Sequence, residues 1–224
     1  MGAGVAAGLK LGLTRADLYL QTKFTSLSGQ DPNRIPYDPK ASLAEQISQS
    51  VAASLENLQT DHLDCLLLHS PMPTMAQTQS AWRVFESFVD SKTIRQLGIS
   101  NCYDRADLER VYETARIKPA VVQNRFYAET NYDRDIRDFC SQHQIIYQSF
   151  WTLSANPHLL AHPTMIDLAT THHRTAPQIL FRYLTQVGVV PLTGTKSETH
   201  MREDLAIFDF ELANEEIGAI DALL

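Results

Sequence analysis

The chain has 224 residues, 44% of them hydrophobic and 20% charged, with 19 Lys and Arg against 26 Asp and Glu and a formal net charge of −7. That length suits one large domain or two small ones, and it can bury a core of ordinary size. The acidic balance argues against broad binding to nucleic acid or anionic membranes, although a local basic pocket for a phosphate could coexist with it.

The opening MGAGVAAGLKLGL has no basic leader, and Lys10 interrupts its apolar run, which argues against a signal peptide. Ala6 breaks the myristoylation pattern. Gly2, Gly4 and Gly8 miss the spacing of a dinucleotide-binding loop by one place, and no strand precedes them. Short β-rich runs then alternate with helix-length segments. The first strand is expected over Leu18–Phe24, followed by a Pro- and Gly-rich loop, Ser26 to Lys40, that reads equally as a substrate-facing loop or a connector. A helix over Ser42–Gln59 carries Leu43, Ile47, Val51, Leu55 and Leu58 at helical spacing. A strand over Leu63–His69 precedes a helix marked by Trp82, Phe85 and Val89. Strands over Arg95–Asn101 and Ala120–Phe126 are followed by helices over Asp104–Arg116 and Tyr132–His143, with Asp104 and Asn131 as expected N-caps. Ile145–Trp151 and Val187–Thr193 complete six strands. Pro177 opens the helix between them, and Ala213–Leu224 reads as a final amphipathic helix.

Each strand is short and apolar, as in a sheet buried on both faces, and repeated β–α units imply parallel pairing. No linker or composition break interrupts residues 1–224, so a single α/β domain is expected. The order of units is compatible with an open sheet or a closed barrel. No segment is long and apolar enough to span a membrane. Cys65, Cys102 and Cys140, odd in number and without a CxxC pair, fit reduced thiols of a cytoplasmic protein. His158, His162, His172 and His173 lack the glutamate or cysteine partners of a zinc set and read as loop or surface residues.

Polar residues recur where the strands end: Gln21-Thr22-Lys23, His69-Ser70, Gly98-Ile99-Ser100-Asn101, Gln123-Asn124, Ser149-Phe150-Trp151-Thr152 and Thr193-Gly194-Thr195-Lys196. A single strand-terminal lysine is ordinarily a solvated end, and a lone histidine is ordinarily a hydrogen-bonded core residue. Six such ends in one relative position describe the functional face of an α/β barrel. The runs LYLQTKF, LDCLLLHSP, RQLGISN, VVQNRF and QSFWTLSAN together resemble the aldo-keto reductases, in order and at similar spacing, from about Val5 to the end.

The resemblance implies a (β/α)8 TIM-barrel fold with about six of the eight units present. It also implies an NAD(P)H-dependent reduction of small aldehydes or ketones. Lys23 would be the cation that lowers the pKa of the proton donor, and His69 would orient the carbonyl. Ser100, Asn101 and Gln123 would hold the nicotinamide amide, and Phe150 would stack on its ring, with Trp151 and Leu153 in the same segment. Gly194, Thr195, Lys196, Glu203 and Asp204 would face the adenosine end. There, Gly194-Thr195 stand where the family carries a Lys-Ser pair and His200 stands at its arginine, so the 2′-phosphate would rest on Thr195, Lys196, Ser197 and His200. NADPH is the cofactor expected from family habit, with NADH the alternative.

The family's tyrosine acid and its aspartate lie upstream of the lysine, in the first two units. Those units are missing from the alignment, and Tyr19 lies within the expected strand. The expectation is therefore a shortened gene product or a mis-started gene model, with a cost of about 10²–10⁴ in rate. A non-catalytic nucleotide-binding or regulatory role, as in the potassium-channel β subunits, is the alternative to an enzyme.

Overall fold

In the computed structural model, which describes residues 2–224, helices and strands alternate along the chain. The chain divides into two compact units, one ending at Val122 and the other beginning at Gln123, so the division falls inside the fourth strand. The first unit holds α1 (Gly2–Lys10), β1 (Gln21–Phe24), α2 (Leu43–Leu58), β2 (Leu63–Leu68), α3 (Met75–Asp90), β3 (Ile94–Ser100) and α4 (Arg105–Thr114), then the start of β4 (Val121–Arg125). The second holds α5 (Arg134–Gln142), β5 (Ile146–Phe150), α6 (Pro157–Leu160), α7 (Pro163–Thr171), α8 (Ala176–Gln186), β6 (Val189–Pro191), α9 (Glu198–Leu205) and α10 (Asn214–Asp221). Strands follow chain order in the sheet, and β1–β2, β2–β3 and β5–β6 all pair in parallel. This is the α/β class that the alternating pattern implies.

Local chemistry sets the helix ends. Ser42 and Glu45 form a capping box at α2, and Asp104 accepts the N–H groups of Ala106 and Asp107 at α4. Thr175 and Gln178 form a second box that brackets Pro177. Every residue of β2 is buried, as befits a central parallel strand. On one face of the sheet Cys65, Leu67 and Val121 pack together. On the other, Phe24 meets Phe85 of α3 edge-on at 6.3 Å and Tyr37 at 5.7 Å. Tyr37 also donates to Thr25 O at 2.8 Å, so the Ser26–Lys40 loop is anchored near its end.

All six expected strands form; five are shorter than the sequence suggests, and the third keeps its length but starts one residue earlier, at Ile94. The first starts at Gln21 rather than Leu18, so Tyr19 lies outside it. Side chains take up the preceding backbone groups: Arg15 donates to Leu18 O, and Leu20 N–H donates to the buried carboxylate of Asp64. Asp64 also pairs with Arg15 at 2.7 Å and with Arg95 at 3.0 Å. Burial pushes this carboxyl up, but the Leu20 N–H and the two guanidiniums outweigh it and hold the group below the usual range. The last strand loses Val187 to the end of α8, and Gly188 turns at φ 80°. Asn131 does not cap α5. Asn131, Tyr132 and Asp133 are all left-handed, Asp133 stands at the N-cap, and its carboxylate instead accepts from Asn124 and Tyr147. The hydropathy pattern does not delimit α6, α7 or α9.

Candidate active site

In the first unit, register brings three strand ends level. Lys23 pairs with Leu67 and Leu67 with Gly98, so Lys23, His69 and Asn101 emerge at the C-terminal ends of β1, β2 and β3. The space between these strands is small. A Cβ on Gly98 would lie 2.4 Å from Leu67 Cδ2 and 2.5 Å from Val121 O, so only glycine lets the backbones approach this closely.

His69 N–H donates to Phe24 O at 2.9 Å, and His69 Nδ1 lies 2.6 Å from Thr25 Oγ1. The Asn101 side-chain amide donates to His69 O at 2.8 Å and to Ser100 Oγ at 3.3 Å, and the Tyr103 hydroxyl donates to Asn101 Oδ1 at 3.1 Å. Asn101 holds a left-handed backbone, φ 51°, where asparagine is among the better-tolerated residues. Burial lowers the Lys23 ammonium, partly offset by Cys65. Burial, reinforced by the Lys23 charge, lowers the His69 imidazole. The first unit thus gathers a half-buried cation, a histidine that burial and that cation hold toward its neutral form, and a fixed carboxamide. Tyr19 is 52% exposed, its hydroxyl donates to Gln96, and its side chain also meets Cys65.

The second unit supplies the other expected residues. Gln123 is buried, and its side-chain amide donates to Gln148 at 2.7 Å. Phe150 and Trp151 stand edge to face, 6.5 Å apart, and bound a cavity of about 390 Å³ with Leu153, Phe181 and Leu192. A second cavity, about 470 Å³, is lined by Pro177, Gln178, His200, Glu203 and Asp204. Leu153, Thr193 and Gly194 belong to both, so the two form one trough. A Cβ at Gly194 would meet nothing within 4 Å, so the trough is open there. Lys196 is exposed and is not among the lining residues. Thr195 Oγ1 instead accepts from Ser197 N–H, and Ser197 caps α9.

These residues suit an extended nucleotide. Aromatic side chains at one end match a stacked ring, and paired carboxylates at the other accept from amino or hydroxyl groups. The histidines expected to lie outside a metal set have their own contacts. His158 meets the Tyr132 hydroxyl, His162 Nδ1 accepts from Thr164 N, and His172 pairs with Glu216 at 2.8 Å. Sequence reading missed Thr25, Tyr103 and Arg125. Arg125 lies 4.1 Å over the Trp151 ring and 5.0 Å over Tyr127, a cation–π pair at the end of β4. Its only sequence signal was a charge two residues past Gln123.

The strand–helix repeats and the polar strand ends define a protein of the parallel α/β class with a polar functional face at its strand ends. Residues 6–224 match the model of the Aldo/keto reductase family, and the chain belongs to that family. It is similar to the uncharacterized oxidoreductase YtbE of Bacillus subtilis, 29% identical over all of this chain and 74% of that protein. Glyoxal reductase of the same organism is 30% identical over 98% of this chain and 74% of its own length. An aldo/keto reductase crystal structure from Brucella melitensis superposes with a TM-score of 0.82 at 26% identity, covering all of this chain and 80% of that one. Among the described residues, no helix is long and apolar enough to cross a membrane.

Proposed function

We propose that this chain binds a nicotinamide dinucleotide and reduces the carbonyl group of a small aldehyde or ketone. The observation that carries this reading is the cluster of half-buried Lys23, His69 and the hydrogen-bonded Asn101 at adjacent strand ends. A 30% identical relative that is a glyoxal reductase supports a small carbonyl substrate. The nicotinamide, when bound, supplies the hydride.

This chain's residues do the rest. In the first unit Ser100 and Asn101 offer partners for a carboxamide, and in the second Gln123 offers a side-chain amide and Phe150 a ring face. Thr25 fixes His69 Nδ1, so that Nε2–H donates to the carbonyl oxygen and orients it. Lys23 Nζ places a positive charge beside that oxygen and stabilises the negative charge that develops there, and a solvent water supplies the proton that completes the alcohol. The trough walls of Leu153, Phe181 and Leu192 exclude water from the nucleotide.

Calorimetric titration of the full chain with NADH and NADPH, alongside reduction of glyoxal and benzaldehyde, tests the proposal. Saturable nucleotide binding with turnover supports it. Binding without turnover replaces it with a nucleotide-binding role, and no binding to either nucleotide overturns it.

A further inference from the structure

In the second unit, α9 and the turn after it, Ala206–Phe208, carry an exposed apolar stripe. Met201, Leu205 and Phe208 are 45%, 75% and 65% exposed. Their spacing of four and then three residues puts them on one face, while Ile207 points inward and is buried. A single exposed apolar side chain is ordinary, but three in a row mark a contact. The stripe is held in place from below. The Arg182 guanidinium lies 5.9 Å over the Phe208 ring, and the Gln178 side chain donates to Glu203 O at 2.9 Å. Two exposed charges flank it, Arg202 about one turn before Leu205 and Asp209 about one turn after it. Arg202 is restrained only by Glu198, 2.7 Å away in a solvated pair of little energetic weight.

We infer that this stripe is the contact between two copies of the chain, packed antiparallel about a two-fold axis at Leu205. A two-fold contact uses the same patch on both copies, so the patch must complement itself. This one does. Antiparallel pairing sets Leu205 against the second copy's Leu205 and Met201 against its Phe208. The same arrangement brings Arg202 of each copy beside Asp209 of the other, because both charges lie on one flank of the stripe. Complementary charges at the rim fix the register, while the apolar centre supplies the attraction. Three side chains fall short of the ~1,200 Å² of a standard interface, so the association is reversible and in the micromolar range. His200, Glu203 and Asp204, which line the trough, lie off the stripe, so pairing does not depend on what the trough binds.

Sedimentation equilibrium of the full chain from about 1 to 200 μM tests this, because that range brackets a micromolar dissociation constant. A reversible monomer–dimer equilibrium is expected. Leu205→Glu sets two carboxylates face to face on the axis and should weaken the dimer at least about tenfold. Asp209→Arg alone should weaken it too, since each copy then meets a like charge, and adding Arg202→Asp to the same chain should restore it. Circular dichroism confirms that each variant is folded. A monomer throughout the range would overturn the inference. A dimer indifferent to Leu205→Glu would place the contact elsewhere and overturn it equally, and failure of the charge swap to restore a folded variant would overturn the antiparallel pairing.

Discussion

The contact between Thr25 and His69 shows how one hydroxyl can set a chemical role. If Thr25 Oγ1 donates to Nδ1 at 2.6 Å, the proton of the neutral ring resides on Nε2. Thr25→Val should therefore shift the imidazole toward the other tautomer, read from its nitrogen chemical shifts by NMR. Lys23→Met tests the second influence on the ring. Burial and the Lys23 charge both lower the His69 pKa, so removing the cation should move the imidazole titration upward. An unchanged titration would mean that burial acts alone. The strand-end positions of Lys23, His69, Ser100 and Asn101 were legible in sequence because strand ends in parallel α/β proteins concentrate polar groups. Thr25 and Arg125 were not. Their partners, His69 and the Trp151 ring, depend on which residues lie side by side, and sequence spacing does not carry that register.

At the level of single elements, the caps and the strand crossings carry the most weight. Ser42→Ala removes the acceptor of the α2 capping box and should cost about 1 kcal/mol, measured by urea unfolding. Gly98→Ala forces a methyl against Leu67 and the Val121 backbone and should cost more, about 1–3 kcal/mol if the strands can yield. The cap Asp104 and the proline start of α8 could be read directly, since each is a local device of side chain and adjacent backbone. The strand limits could not. Leu18 and Tyr19 have strand-like composition, yet Arg15 and Asp64, 49 residues apart by number, claim the neighbouring backbone groups. Nor does composition reveal three successive left-handed residues at Asn131–Asp133, because the buried acceptor role of Asp133 is decided by Asn124 and Tyr147.

Across the whole molecule, two buried carboxylates pull stability in opposite directions with pH. The folded pKa of Asp64 is depressed, so its stabilisation is present above the unfolded value of about 3.9 and is lost as pH falls through the folded one. Burial raises Asp133 first and foremost, against its hydrogen bonds, so its contribution is present below about 3.9 and is lost as pH rises through the folded value. Asp64→Asn should therefore destabilise the chain at pH 7 and flatten its acid limb, whereas Asp133→Asn should leave stability at pH 7 unchanged or higher. Thermal unfolding across pH 3–8 checks both, and equal losses for the two variants would contradict these assignments. The two tryptophans add an optical consequence. Trp82, in the first unit, is 3% exposed with its indole N–H bound to Ile117 O, while Trp151, in the second, is 57% exposed beside Arg125. Their emission should differ in colour, the first blue and the second red. Each compact unit therefore carries its own intrinsic fluorophore, and the wavelength of light lost or gained during unfolding tells which half of the chain has opened.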